Sequence, residues 1–179
     1  MRKLLLILIL STCFLGSGYA NYEDGVNAYN NKDYATALEE FKLAAEQGDS
    51  KSQYRLGLMY YSGDGTVYDF ENAFQWILKA AEKGHRESQH RIGFMYQYGE
   101  GILKDYKKSA KWFKKSADQN YAPAQRNLAL LYIYGEGGIS KDMPKAKFLT
   151  LKAYENPESS SKIKKQAKNQ WDTFKLWEY

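Results

Sequence analysis

The sequence predicts an all-α solenoid of stacked helical hairpins, because short motifs return along it at a constant step. A Leu-Gly pair or its equivalent, a tyrosine and two turn glycines each recur after 36 residues. The recurring positions are Leu56-Gly57, Ile92-Gly93 and Leu128-Ala129; Tyr60, Tyr96 and Tyr132; and Gly63/Gly65, Gly99/Gly101 and Gly135/Gly137. A step of this length is typical of two-helix units that each present the same face to the next. With 44% apolar residues in 179, the chain can also form a core.

The first twenty residues have the pattern of an export signal. Arg2-Lys3 precedes an apolar run from Leu4 to Leu10, and Gly18-Tyr19-Ala20 forms a small-x-small site. We therefore expect cleavage after residue 20 and a periplasmic or secreted protein that starts at Asn21. An uncleaved membrane anchor is an alternative, although the apolar run is short for a bilayer. A lipid on Cys13 is another, because Leu10-Ser11-Thr12-Cys13 weakly resembles a lipoprotein box. Since this is the only cysteine, the mature chain would have no disulfide.

The residues before the first full repeat predict a degenerate unit, residues 21–49. The segment from Asp33 to Gly48 aligns with the segment from Asp69 to Gly84 at the same 36-residue step. It is therefore predicted to be a second helix, with Tyr22 to Asn30 as its shorter first helix.

The first helices of the three full repeats, 50–85, 86–121 and 122–157, are predicted from apolar or small residues at i, i+4, i+7 and i+8. These are Ser52, Leu56, Met59 and Tyr60; Ser88, Ile92, Met95 and Tyr96; and Ala124, Leu128, Leu131 and Tyr132. Gly57, Gly93 and their counterpart Ala129 lie in mid-helix, where glycine costs up to about 1 kcal/mol relative to alanine. A small residue at this place indicates close approach of a neighbouring helix.

The second helices are predicted to begin at Asp69, Asp105 and Asp142, whose carboxylates suit an N-cap. They follow Gly-x-Gly turns, which lack the preceding strand and the following Lys-Ser/Thr of a phosphate loop. An extra residue, Gly138, shifts the third helix by one position. Their predicted buried stripes are Ala73, Trp76, Ala80 and Ala81; Ser109, Trp112, Ser116 and Ala117; and Ala146, Leu149 and Ala153.

Residues 158–179 are predicted to form a C-terminal capping helix, because the terminal unit of a solenoid needs a different outer face. A single long helix is expected from Ser159 to Tyr179. Its apolar side is formed by Ile163, Ala167, Trp171, Phe174 and Trp177.

These motifs together resemble the Sel-1-like repeat, a relative of the tetratricopeptide repeat. Between Leu56 and Gly84 stand Leu-Gly-x-x-Tyr, Gly-x-Gly, Asp-x-x-x-Ala-x-x-Trp and Ala-Ala-Glu-x-Gly, and the resemblance extends from about Asp33 to Tyr154. It implies a right-handed α/α superhelix that binds other proteins through its concave face and is not an enzyme. Exported bacterial members include envelope signalling regulators, host-interaction factors and immunity proteins. The resemblance thus implies an exported scaffold or adaptor in the bacterial envelope. An immunity protein that neutralises a secreted toxin and a peptidoglycan- or glycan-binding module remain alternatives.

A candidate partner surface lies opposite the core stripe of each first helix, at the spacing i, i+4, i+7. We call it the first-helix row, and it consists of Tyr54, Leu58 and Tyr61; His90, Phe94 and Gln97; and Arg126, Leu130 and Ile133. Aromatic residues and arginine are the usual anchors of protein interfaces. The alternative is that Leu58, Phe94 and Leu130 are simply buried against neighbouring helices.

No metal, cofactor or catalytic site is predicted. His85 and His90 are the only histidines, and their i, i+5 spacing places them poorly for a shared metal. A hydrolase needs a nucleophile, a base and an orienting acid held together, and no Gly-x-Ser-x-Gly motif is present. These absences leave the role that the resemblance implies, a non-enzymatic protein whose partner is another protein, such as a toxin, an effector or an envelope protein.

Charge is distributed unevenly along the chain. Residues 21–100 contain 8 Lys/Arg and 13 Asp/Glu, whereas residues 101–179 contain 16 and 8. In a solenoid this makes one end acidic and the other basic. Six lysines surround Trp112 and Phe113: Lys104, Lys107, Lys108, Lys111, Lys114 and Lys115. Such a cluster suits nucleic acid or anionic membrane, but a solvated face is favoured. We expect no nucleic-acid partner, and membrane contact only through an uncleaved or lipidated N-terminus.

Overall fold

The computed structural model describes residues 21–179, and the expected export signal lies outside them. The helices are α1 (Tyr22–Asn30), α2 (Tyr34–Glu46), α3 (Ser50–Ser62), α4 (Phe70–Glu82), α5 (Arg86–Tyr98), α6 (Tyr106–Asp118), α7 (Ala122–Tyr134), α8 (Met143–Glu155) and α9 (Ser161–Thr173). Each helix packs mainly against the next one in the chain, and no strand occurs in the described part. The predicted all-α solenoid is confirmed. None of these helices is long and apolar enough to cross a membrane.

The second helices begin where the aspartates predict. The carboxylates of Asp69, Asp105 and Asp142 accept hydrogen bonds from backbone N–H groups three residues further on, at 2.8, 2.9 and 2.9 Å. The backbone N–H groups of the same aspartates donate to the carbonyls of Tyr60, Tyr96 and Tyr132. In the third unit this backbone hydrogen bond, from Asp142 to Tyr132, spans one more residue than in the other two. A 3₁₀ turn over Glu136–Gly138 accommodates the extra residue. Gly138 has a φ of 77°, a conformation that glycine adopts without a Cβ clash.

Close helix approach at the mid-helix glycines is confirmed. A Cβ built on Gly93 would lie 2.6 Å from the ring of Phe113, and one on Gly57 would collide with the side chain of Ile77. The N-terminal unit follows the same plan, since a Cβ on Gly25 would lie 2.6 Å from the ring of Phe41. Each pair closes one hairpin, so these contacts fix how the two helices of a unit pack.

The largest buried residues of the second helices were not in the predicted stripe. Ile77 and Phe113 are fully buried, whereas the tryptophans that precede them, Trp76 and Trp112, are only half-buried. Nζ of Lys79 lies 3.7 Å from the centre of the Trp76 ring. The tryptophans therefore lie at the edge of the core, with an ammonium group over the exposed part of the ring.

The C-terminal segment differs from the predicted single helix. α9 ends at Thr173, Lys175 adopts a φ of 47°, and a 3₁₀ turn follows over Leu176–Glu178. Because this left-handed residue redirects the chain, Leu176 is fully buried, packed in one cluster with Ala129, Ile133 and Ala146. Trp177, predicted to pack, is 53% exposed.

Candidate partner-binding surface

The first-helix row lies on α3, α5 and α7. Ile133 is buried, and the other eight residues are half-buried: Tyr54, Leu58, Tyr61, His90, Phe94, Gln97, Arg126 and Leu130. Leu58, Phe94 and Leu130 pack against hydrophobic clusters. These three side chains are thus partly covered by neighbouring helices without being buried, and the role of the row in partner binding stays a prediction.

Two sets of side-chain hydrogen bonds recur with the repeat and hold the units at a regular spacing. Buried glutamine amides donate to carbonyls at the end of the preceding helix: Gln53 to Ala45 (3.0 Å), Gln89 to Ala81 (3.1 Å) and Gln125 to Ala117 (3.4 Å). A second set joins adjacent inter-unit turns: Lys83 to Gly48 (2.6 Å), Gln119 to Gly84 (2.9 Å) and Asn156 to Asn120 (2.6 Å). The first helices are thus fixed relative to one another, and the row is a preorganised surface.

The first residue of the row packs on the start of the next repeat. The ring of Tyr54 lies 5.1 Å from the ring of His85, and the ring of His90 lies 5.4 Å from that of Tyr121. His85 and Tyr121 are the N-cap residues of α5 and α7, so the same contact recurs one repeat later. Burial raises the pKa of Tyr54 and raises that of Tyr121 to about 12, so both phenols stay neutral.

Tyr61 belongs to a polar cluster that also spans two repeats. The guanidinium carbon of Arg91 lies 3.8 Å from the centre of the Tyr61 ring, and the Tyr61 hydroxyl donates to Oε1 of Glu100 at 3.1 Å. Nη2 of Arg91 lies 4.0 Å from Oε2 of Glu100. Glu100 is the central residue of a Gly-x-Gly turn, so this turn helps to hold the ring of the preceding repeat in place.

His90 is more enclosed than a solvated surface histidine. Its ring lies 5.5 Å from that of Phe113, and Nε2 accepts a hydrogen bond from Nδ2 of Asn127 at 3.0 Å. Burial, with the nearby positive charge of Arg91, lowers the pKa of His90 to about 4. The imidazole is therefore neutral near pH 7 and is a fixed hydrogen-bond acceptor in the row.

His85 has a structural role as the N-cap of α5. Nδ1 accepts from the backbone N–H of Ser88 at 3.3 Å and lies 2.7 Å from its Oγ, while Nε2 lies 3.3 Å from a carboxylate oxygen of Glu87. A histidine, a serine and a carboxylate are also the side chains of a hydrolytic triad. Ser88 is 0% exposed, however, and lies beyond the reach of a substrate. Asp49 caps α3 in the same way, because its carboxylate accepts a hydrogen bond from the backbone N–H of Ser52.

Within residues 21–179 no group of three or more His, Cys, Asp or Glu side chains is arranged to hold a metal.

Two exposed tyrosines lie beside the row and were not predicted. Tyr98 is 58% exposed and Tyr134 51% exposed, one residue beyond the last row position in repeats two and three. The ring of Tyr98 lies 4.7 Å from that of Phe94, and the ring of Tyr134 lies 5.6 Å from that of Phe174. Their shared 36-residue step was visible in the sequence, although Ser62 replaces tyrosine in repeat one.

The lysine cluster is exposed, but several of its members have partners within the chain. Nζ of Lys114 lies 2.6 Å from a carboxylate oxygen of Asp118, and Nζ of Lys115 lies 4.3 Å from the centre of the Trp112 ring. Phe113, which the sequence placed beside these lysines, is fully buried and does not belong to their surface. These contacts are those of a solvated helix face.

Stacked hairpins with a side-chain row on their first helices define a helical-repeat protein, a class commonly used for protein–protein interaction. A sequence model of the Sel1 repeat matches residues 11–49, 50–85, 86–121 and 122–157, and the chain belongs to the Sel1 repeat family.

Solved and curated relatives have the same repeat. A Sel1 repeat protein from Oxalobacter formigenes has 35% sequence identity and a TM-score of 0.72, covering 77% of this chain and 56% of that one. The uropathogenic Escherichia coli protective antigen c5321, which displays an SLR fold, has 25% identity and a TM-score of 0.46, covering 85% of this chain and 41% of that one. The putative sel1-like repeat-containing protein L18 of Acanthamoeba polyphaga mimivirus is 51% identical over 39 residues, 22% of this chain and 7% of that protein. The chain therefore spans about half the length of the Oxalobacter protein and a small part of the viral one.

Proposed function

We propose that this protein is a non-enzymatic scaffold that binds a protein partner on its first helices. The observation that carries the proposal is the pair of exposed tyrosines, Tyr98 and Tyr134, one repeat apart beside the first-helix row. Tyrosine is enriched at interface hot spots because it combines a large apolar ring with a hydroxyl and has few torsions to immobilise. The half-buried row behind these rings would form the floor of the interface.

The preorganised spacing of the first helices supports this role. A partner that contacts several repeats at once need not order them, so less of the interaction free energy is lost on binding. The contacts of Tyr54, Tyr61 and His90 with the following repeat hold these side chains in one conformation before a partner arrives. An extended surface that joins neighbouring repeats is the way in which solenoids bind their partners.

Capture of the partner from the cells that produce the protein tests the proposal. We expect the doubly substituted protein Tyr98→Ser, Tyr134→Ser to lose the partner that the unchanged protein retains. Serine is the residue that repeat one has at this position, Ser62, and both tyrosines are exposed, so the fold should persist. A matched control removes two other exposed tyrosines, Tyr68→Ser and Tyr179→Ser. Equal retention by both variants would contradict the proposed surface.

We further propose that the protein acts after export, in the bacterial envelope or outside the cell. The support is the basic, apolar and small-x-small order of residues 1–20. N-terminal sequencing of the protein isolated from its own cells should find Asn21 first. A chain that starts at Met1, or one that starts at a lipidated Cys13, would replace this proposal with an anchored protein. An immunity protein would use the same surface, and identification of a secreted toxin as the captured partner would distinguish that role.

A further inference from the structure

Arg126 differs from the other residues at its position in the first-helix row. Tyr54 and His90, one and two repeats earlier, pack on the ring of the next N-cap residue. Arg126 instead donates from Nη1 to Oδ1 of Asn127 at 3.2 Å, and its Nε is shielded from solvent without a hydrogen-bond acceptor. Part of the side chain remains accessible, so the third repeat presents a guanidinium group at the surface where the partner is proposed to bind.

The charge of Arg126 is not balanced by a carboxylate of the described chain. Arg86 lies 2.9 Å from Glu158, and Arg91 lies 4.0 Å from Glu100, but no acidic group of residues 21–179 comes within 4.0 Å of Arg126. Burial lowers the pKa of the Arg126 guanidinium, and the nearby tyrosines Tyr98 and Tyr134 offset this in part. A partly desolvated cation without a counter-charge is unfavourable, and a partner that supplies the counter-charge removes this penalty.

We propose that Arg126 binds an Asp or Glu side chain of the partner, so that this surface selects an acidic peptide segment. The inference rests on the proposed scaffold function and names the chemistry of its partner. A carboxylate can accept two parallel hydrogen bonds from a guanidinium group, and such charge-assisted pairs are stronger than neutral ones.

The surroundings of Arg126 fit an acidic residue with an apolar neighbour. Tyr98 lies near the guanidinium group, and its ring, whose centre is 4.7 Å from that of Phe94, offers an apolar contact. Asn127 joins Arg126 to the neutral His90 through its two amide atoms, at 3.2 and 3.0 Å, which orients the guanidinium group in advance. The basic balance of residues 101–179 also attracts an acidic segment to this half of the solenoid.

Selection from a phage-displayed library of random heptapeptides tests this chemistry on the full chain. We expect peptides selected on the unchanged protein to share an Asp or Glu at one position, next to an apolar or aromatic residue. Selection on Arg126→Gln should lose the acidic position. For a selected peptide, Arg126→Gln should weaken binding by about tenfold or more. Arg126→Lys should weaken it by less, because the lysine ammonium group keeps the charge but lacks the planar pair of donors. The control Lys111→Gln removes the same charge from an exposed site on α6 and should change binding little.

The outcomes separate this inference from the scaffold function. Selected peptides without an acidic position, an acidic position that persists on Arg126→Gln, or equal losses on Arg126→Gln and Lys111→Gln would each overturn it. If such peptides still lose binding to Tyr98→Ser, Tyr134→Ser, the scaffold surface stands and only the acidic preference falls. If no peptide is selected, or if the selected peptides respond neither to the tyrosine substitutions nor to Arg126→Gln, both the surface and the preference are contradicted.

Discussion

Nδ2 of Asn127 donates to Nε2 of His90 at 3.0 Å, so a side-chain hydrogen bond joins repeats two and three within the first-helix row. The acceptor is available only while His90 is neutral, which its lowered pKa of about 4 ensures near pH 7. The contact between these repeats is therefore sensitive to acid.

Stability should fall in acid through His90. Its pKa is about 4 in the folded protein and about 6.5 in the unfolded chain, so the unfolded chain binds the extra proton between these values. The stabilisation is complete above pH 6.5 and is lost as the pH falls towards 4, by at most about 3 kcal/mol. Urea unfolding at several pH values between 7.5 and 4.5 measures this loss.

The substitution His90→Gln should remove most of that pH dependence. His85→Gln should leave most of the pH dependence in place. The pKa of His85 is also lowered, so its own contribution is lost, but the contribution of His90 remains. An unchanged dependence in His90→Gln would show that His90 is not the group responsible.

Gly93→Ala should lower the free energy of unfolding by about 1–3 kcal/mol, because the added methyl group meets the ring of Phe113. The double variant Gly93→Ala, Phe113→Leu should be less destabilised than the sum of the two single variants, since the smaller side chain leaves space. Thermal or urea unfolding of the four proteins gives the coupling. Simple additivity would mean that the two residues are not in close contact.

The repeated glutamine contacts should stabilise the stack. Gln89→Met removes the donor to the buried carbonyl of Ala81 and should lower the free energy of unfolding by about 1–3 kcal/mol. Gln75→Met, the same change at an exposed position of α4, should be close to neutral. Equal effects of the two substitutions in urea unfolding would mean that this contact does not hold the units together.

Leu176 and Trp177 give opposite expectations for the C-terminal cap. Leu176→Ala should lower the free energy of unfolding by about 2–5 kcal/mol because the side chain is fully buried. Trp177→Ala should have a much smaller effect because more than half of the tryptophan is exposed. The reverse order in denaturant unfolding would favour an uninterrupted helix to the C-terminus.

The repeats were predictable because their determinants are local and recur. The aspartate caps, the turn glycines and the small mid-helix residues specify each hairpin, and α1 begins and ends at the predicted residues, Tyr22 and Asn30. The C-terminal cap was less predictable, because it depends on the positive φ of Lys175. Among the described residues other than glycine, only Lys32 and Asn120 also have a positive φ. Asn120 stands one repeat after Gly84, so its position marks it, but no local signal marks Lys175. Its conformation decides that Leu176 is buried and Trp177 is exposed.

The candidate surface was predicted by position but not by exposure. Periodicity shows that Tyr54, His90 and Arg126 are equivalent, but it does not show that the next repeat covers the first two and leaves Arg126 without a counter-charge. That difference depends on contacts between residues far apart in sequence. Tyr98 and Tyr134 share the repeat step, yet they lie just outside the i, i+4, i+7 pattern used to choose the row.

Site-specific photocrosslinking tests the scaffold surface most directly. A photoreactive phenylalanine analogue replaces Tyr98 or Tyr134 on the first helices, or Gln75 on the outer side of α4, and the protein is irradiated in the cells that produce it. We expect one crosslinked partner from positions 98 and 134 and none from position 75. A partner crosslinked from position 75 but not from positions 98 and 134 would contradict it.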